Sequence, residues 1–445
     1  MKRIGDLLTR HKTPVDVQDD VTYKQVTIRT NYKGVVLRGT QSGAAILTKS
    51  QWRVSADQFI LSRIDARNGA FGIIPPELEG AIVTNDFLAF DINEAEVERE
   101  FFNVFLQSPL FLEACIKASR GNTNRKRVDE DFFLSFPVNL PPISEQHRLI
   151  AKINRARAAL AKAEQEIAHQ EDLVAKLRQA ILQEAITGRL TAGWRAAQTD
   201  VEPASRLLAR IRAEKARLVS AKKLRPEKPL PPIPESEIPF ALPEGWAWCR
   251  YGDLCEYVTS GSRGWQAYYA ESGALFIRAQ NIKTDRLVLD DEAFVDLPDK
   301  TEGTRAKVVR NDVLITITGG NLAKTALVED DFEEAYVSQH IALTRLIDTR
   351  LAKWIHKSLT TDQGPRGQLL VLSRGDKPGL NLPNVRSVLI PLPPLREQTE
   401  IVARVEGLME RCRELQAEIE RSRAHAAALL QAVLREAFAP ATVAA

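Results

Sequence analysis

The chain has 445 residues, 44% hydrophobic and 27% charged, with 61 Lys and Arg against 58 Asp and Glu for a net charge of +3. That length admits two to four ordinary domains, the composition is globular rather than disordered, and +3 is too small to announce nucleic acid by itself. No apolar run approaches the roughly 18 residues of a membrane span and the start, MKRIGDLLTRHKTP, lacks an apolar stretch after its charges, so a cytoplasmic protein is expected. Cys115, Cys249, Cys255 and Cys412 are scattered, without the C-x(2-4)-C spacing of a zinc site.

In the first segment, VTYKQVTIR, GVVLRG, QFILSRID and GAIVTNDFLAFDI predict strands, and EAEVEREFFNVFLQS followed by LFLEACIKAS predicts a helix pair. Two loops are basic. SRIDARNGAF carries Arg63, Arg67 and Asn68; ASRGNTNRKRVDED carries Arg120, Asn124, Arg125, Lys126 and Arg127 just before a proline pair, Pro141-Pro142. Such sets hold phosphates and present Arg or Asn to base edges, although for any single loop a solvated turn is the default.

After the prolines a long helix is expected, because Leu149, Ile153, Ala156, Leu160, Ala163, Ile167, Val174, Leu177 and Ile181 follow steps of four and three, with Gln170 as the one polar position. About 43 residues make a rod of roughly 64 Å, too long to be buried by its own small neighbour. Its charges nearly cancel, seven basic to six acidic from Ser144 to Ile186, so it reads as a spacer rather than a phosphate tracker. A basic connector follows, with nine cations between Ser205 and Lys228 against Glu214 and Glu227, and then the proline-rich KPLPPIPESEIPFALPEGW, which predicts an extended path. This basic segment is open to two readings, a contact with phosphates or an acidic partner and a solvated linker helix.

The second segment repeats the first in outline. ALFIRAQNI, KVVRNDVLITITG, TALVED and AYVSQHIALTRLI are expected strands and LAKWIHKSL a helix. Its polar loops offer Arg263, Trp265 and Tyr268 in TSGSRGWQAYY, Lys324 in TGGNLAKT, and Arg374 and Lys377 in LSRGDKPGLN. A second heptad seam runs through Ile401, Val405, Leu408, Cys412, Leu415, Ile419, Ala426, Leu429 and Val433, with Ser422 as its polar position. The repeat is explicit: LPPISEQHRLIAKI from Leu140 returns as LPPLREQTEIVARV from Leu392, and fifteen of the 46 positions from Leu140 to Ala185 are identical at an offset of 252.

The expected division is therefore a first globular domain over 1–140, a first long helix over 141–192, a connector over 193–240, a second globular domain over 241–391, and a second long helix with its tail over 392–445. The expected fold class is α/β (α+β) for the two globular domains, separated by two long coiled-coil helices. Leu149, Ile153, Leu160, Ile167, Leu177, Ile401, Val405, Leu415, Ile419 and Leu429 are the candidates for helix pairing and subunit contact, with Ile150, Leu173, Leu182 and Leu434 left over for a partner.

Catalytic signatures are missing from the sequence. TGGNLAKT lacks the Gly-Lys order of a phosphate loop, Asn139-Leu140-Pro141-Pro142 interposes a Leu in the tetrad by which methyltransferases hold a flipped base, no metal-nuclease E-x-K follows Asp299, and the six histidines form no metal-binding group. His340, inside a strand pattern, reads as a satisfied core histidine.

These segments, with FALPEGWAWCRYGDL, RNDVLITITG, YVSQHIALTRL and SRGDKPGLNLPNVRSVLIPLPPLREQ in the same order, resemble the specificity subunit of type I restriction-modification systems over nearly the whole chain. The resemblance implies that each globular domain reads one half of a bipartite, asymmetric double-stranded DNA target. It implies that the long helices pair antiparallel, fix the spacer and dock two methyltransferase (modification) subunits, and that two restriction/translocase subunits complete the complex. S-adenosylmethionine, ATP and Mg would then belong to the partner subunits, with none bound by this chain and no membrane involved. The alternative is a coiled-coil scaffold that joins proteins without recognising DNA.

Overall fold

The computed structural model describes residues 2–121, 126–298, 304–373 and 378–437. Its contacts divide the chain into two compact units, Met1–Ile167 with Arg421–Ala445, and Ala168–Glu420.

Unit one is built on a four-stranded antiparallel sheet in the order Leu8–Arg10, Phe87–Ile92, Phe59–Ser62, Phe71–Ile73. A five-stranded sheet accompanies it, in which Thr22–Ile28 pairs antiparallel with Val35–Ser42 and parallel with Ile82–Val83. The expected strand GAIVTNDFLAFDI is thus two strands broken by a turn, and Leu8–Arg10, Thr13–Asp16, Ser50–Arg53 and Phe71–Ile73 are strands too short to register as sequence patterns. The expected helix pair forms as Arg99–Phe105 and Pro109–Ala118, capped by Glu98 and Ser108, whose side chains accept from the Phe101 and Phe111 N–H groups. Between sheet and helices lies a phenylalanine core in which Phe111 meets the edges of Phe71 at 5.0 Å and Phe59 at 5.6 Å between ring centres.

Unit two repeats this plan. Its four-stranded antiparallel sheet runs Cys255–Ser260, Ile341–Leu346, Val313–Thr316, Thr325–Leu327, the same order as in unit one. A second sheet again contains one parallel pair, Ala274–Ile277 with Ala335–Val337. Each unit also has a two-stranded ladder leading into a long helix, Lys2–Arg3 with Pro137–Val138 and Ala247–Arg250 with Leu389–Leu392. The duplication read from the helices therefore holds at the level of strand order, and the mixed α/β tandem architecture is the expected one.

The long helices are Ile143–Ile186 and Leu395–Ala437, 44 and 43 residues, each starting directly after its proline pair. In unit one Ile150 and Ile153 of the first helix share a core with Val433 and Leu434 of the second; in unit two Arg404 donates to the Leu190 carbonyl just beyond the first helix. The beginning of one helix thus meets the end of the other, which is antiparallel pairing. Ile153, Ile167, Ile401, Val405 and Ile419 are buried inside this chain and Leu149 and Leu160 are half-buried, while Leu177, Leu415 and Leu429 are exposed. Of the residues set aside for a partner, Ile150 and Leu182 are buried and Leu434 is packed in the core, leaving Leu173 exposed.

The connector contains a helix, Ala204–Ser220, anchored by buried Leu207, Leu208 and Ile211. Four of its cations, Arg210, Arg212, Lys215 and Arg217, pair with Glu202, Asp253, Glu227 and Glu214. All four cysteines are free and buried, and burial pushes the Cys255 thiol up to about 12.

The Glu-Gln step at the head of each long helix has a physical role. Gln146 accepts from the Glu98 N–H at 2.8 Å and donates to the Pro141 carbonyl at 2.9 Å; Gln398 donates to the Pro393 carbonyl at 2.8 Å. The glutamates differ. Glu397 is buried and accepts from Thr191 Oγ1 at 2.7 Å, Trp246 Nε1 at 2.9 Å and the Arg195 guanidinium, whereas Glu145 pairs with Arg148 on the helix surface. Glu397→Ala strands two donors in the interior and is expected to lower stability by about 3–5 kcal/mol in urea unfolding, against less than about 1 kcal/mol for Glu145→Ala. Equal losses would refute this asymmetry.

Candidate nucleic-acid interface

A chain leaving a sheet must find partners for its main-chain groups. In unit one the residue after strand Phe59–Ser62 is Arg63. Its N–H donates to the Asp86 carbonyl and its carbonyl accepts from the Val128 N–H, both at 2.8 Å, while Ser62 N–H donates to the Ala70 carbonyl at 3.0 Å. In unit two Ile317 follows strand Val313–Thr316. Its N–H donates to the His340 carbonyl at 2.9 Å, its carbonyl accepts from Leu380 N–H at 2.8 Å, and Thr316 N–H donates to the Lys324 carbonyl at 2.9 Å. The same main-chain junction gathers three segments in each unit: 63–70, 84–87 and 126–128 in the first, and 317–324, 338–341 and 378–380 in the second.

The two basic loops of unit one, far apart in sequence, therefore meet. Arg127 reaches Asp86 at 2.9 Å, and Arg120 lies 4.6 Å from the Phe132 ring centre with Asp129 at 3.7 Å. Lys126 is exposed; Arg63 is half-buried, and its Nε is buried without a hydrogen-bond partner. Asn68 donates to Asp65 at 3.3 Å. With Arg67 it lines an open cleft of about 440 Å³, completed by Thr30, Asn31, Tyr32 and Leu112. Asn31 and Tyr32 both hold left-handed backbone, φ 58° and 59°, a strain for tyrosine that hydrogen bonds from their N–H groups to the Asn68 and Gly69 carbonyls offset. Asn124 and Arg125 lie outside the described residues.

Missed in sequence is Arg10, whose guanidinium lies 3.2 Å from Glu130 and 5.4 Å from the Phe90 ring centre; burial holds it below the usual arginine range. A lone Arg in a short polar strand gave no signal.

In unit two the picture is less cationic. Arg263 is exposed on a loop that Gly261 brings against the Val337 carbonyl, where a Cβ would stand 1.9 Å from the oxygen. Lys324 is half-buried and serves the junction through its backbone. Trp265 is a core residue, not a stacking platform: it is buried with Phe276 and Tyr336 at 5.8 and 5.3 Å between ring centres, and Tyr268 packs partly against the same cluster. His340 is not the core histidine expected; it is exposed in a turn, with Nδ1 2.6 Å from Thr318 Oγ1. Arg374 and Lys377 lie outside the described residues. Beneath this junction Thr316 Oγ1, Ser338 Oγ and Gln339 Oε1 are buried without hydrogen-bond partners. Among the described residues there is no cluster of metal ligands and no helix long and apolar enough to cross a membrane.

Residues 243–421 match the family described as the type I restriction modification DNA specificity domain. That match lies almost wholly within unit two. The likeness to its members reaches further along the chain: the EcoEI and EcoAI specificity subunits of type I restriction enzymes from Escherichia coli are each 26% identical, over 73% and 72% of this chain. The chain spans about three fifths of the length of these two relatives, 62% and 61%. Two solved structures share the fold. One, from work on complex assembly and conformational transition of the type I R-M system, has a TM-score of 0.62 at 19% identity and covers 98% of this chain and 96% of its own. The HsdS subunit from Thermoanaerobacter tengcongensis has a TM-score of 0.51 at 18% identity, covering 98% and 95%. The specificity-domain match falls on the second unit alone, and the shared strand order extends the architecture to the first.

Arg127→Ala is expected to weaken duplex DNA binding and reduce its salt slope by about one while leaving the melting temperature nearly unchanged. Trp265→Ala should do the reverse in kind, lowering stability by about 3–5 kcal/mol. Titrations at several salt concentrations beside thermal melts separate the two; an unchanged salt slope for Arg127→Ala removes that residue from the interface.

Proposed function

We propose that this chain is the DNA sequence-recognition subunit of a type I restriction-modification complex, each unit reading one half of a bipartite, asymmetric target. The observation that carries this reading is the recurrence, in both units, of one main-chain junction that gathers three polar loops at the end of the sheet. A binding protein that must read two different half-sites needs one scaffold twice, with different side chains on the loops, and Arg63, Asp86 and Val128 against Ile317, His340 and Leu380 are such a difference.

The long helices act as the ruler between the half-sites and as the docking surface for two methyltransferase subunits, to which the exposed Leu173, Leu177, Leu415 and Leu429 are suited. Those subunits supply S-adenosylmethionine and the adenine-methylating chemistry, and two restriction subunits supply the ATP- and Mg-dependent step. This chain contributes position. A scaffold that joins proteins without DNA would use the helices equally well, but it leaves the paired polar junctions without a purpose.

The test is co-expression with the methyltransferase subunit and genome-wide mapping of methylated adenines, which is expected to return one bipartite motif. Deleting four residues from the first long helix shortens it by about 6 Å and is expected to change the gap tolerated between half-sites. Methylation at the original gap would defeat the ruler; methylation absent from wild type, with no salt-dependent DNA affinity, would defeat the recognition reading.

A further inference from the structure

Each junction contains a four-residue turn of one design: Thr84-Asn85-Asp86-Phe87 and Ser338-Gln339-His340-Ile341. In each, the N–H of the fourth residue donates to the carbonyl of the first at 3.1 Å, and the carbonyl of the third accepts from the residue that leaves the neighbouring strand, Arg63 or Ile317. A hydroxyl residue holds the first position and a side-chain amide the second. Main-chain bonds alone close and anchor the turn, so the amide is not needed to build it.

We propose that Asn85 and Gln339 are specificity-determining residues, each reading an adenine in the half-site of its own unit. This rests on the reading of each unit as a half-site reader. An amide carries a donor and an acceptor side by side, and in the major groove adenine presents the complementary pair, N7 and the N6 amino group, whereas guanine presents two acceptors.

The surroundings fit an amide that receives its partner from outside. Asn85 is exposed at the tip of its turn, and Arg127 beside it reaches Asp86, a cation in place for a neighbouring phosphate. Gln339 has its Nε2 3.2 Å from His340 Nε2 while its Oε1 is buried without a hydrogen-bond partner, beside Ser338 Oγ and Thr316 Oγ1 in the same condition. Ser338 is 5% exposed and Thr316 fully buried. Turning the Gln339 amide outward onto a base edge satisfies the oxygen that the free chain leaves unpaired.

The experiment selects bound duplexes from a randomised double-stranded DNA pool with the full chain as wild type, Asn85→Ala, Gln339→Ala and Gln339→Glu, and sequences the output. Wild type is expected to enrich a bipartite motif. Asn85→Ala should lose discrimination at one adenine in one half, and Gln339→Ala at one adenine in the other, each by roughly 5- to 150-fold, with the remaining positions retained. Gln339→Glu should shift the preference at its position toward cytosine, whose amino group donates to a carboxylate, a change that a purely structural role does not produce. An unchanged motif in both alanine variants, or loss of both halves together, overturns the assignment while half-site reading stands. A wild type that enriches no motif overturns the half-site reading and this assignment with it.

Discussion

The end of the central strand of each unit is held by two main-chain hydrogen bonds from one residue, and the candidate interface depends on them. Arg63 and Ile317 differ in every respect that a side chain can, yet each gives its N–H to the turn on one side and its carbonyl to the segment on the other at 2.8 to 2.9 Å. Because the bonds are made by the peptide, the geometry is indifferent to what the loops carry. These bonds fix the spacing of the segments they join, and a base-reading side chain needs its position fixed to a fraction of a hydrogen-bond length.

Beneath that constraint lie the cores. In unit one Phe71, Phe90, Phe102, Phe105 and Phe133 close around Phe59 and Phe111, and the first turns of the long helix enter the same cluster through Ile150 and Ile153. The head of each long helix is thus part of a globular core rather than a rod attached by a linker. The Glu-Gln step and the proline pair set the direction in which the rod leaves, and in unit two the buried Glu397 ties that departure to Thr191, Arg195 and Trp246.

Much of this was legible in the sequence, for reasons that can be named. A period of 3.5 sustained over nine positions and a proline pair marked both long helices to within a residue or two of their starts, and strands with runs such as FILS and VLIT were found because both faces are buried. The strands that escaped, such as Leu8–Arg10 and Phe71–Ile73, are three residues long and owe their conformation to ladder partners. The interface was legible only in pieces: basic loops could be seen, but their convergence is a tertiary fact written in main-chain bonds. Trp265 was misleading because an aromatic in a polar loop with Arg263 reads as part of a surface until Phe276 and Tyr336 are found packed against it. Asn85 and Gln339 were passed over because an amide in a turn is what any solvated turn contains; only the superposition of two turns of one design sets them apart.

A junction made of backbone alone also bears on how such a chain changes over generations. Loop side chains can be replaced in either unit without touching the bonds that hold the loops together, so new preferences can arise by substitution while the scaffold keeps its stability. The two units of this chain are alike in strand order while Arg63, Asp86 and Val128 stand where Ile317, His340 and Leu380 stand in the other, so the scaffold already carries two sets of side chains.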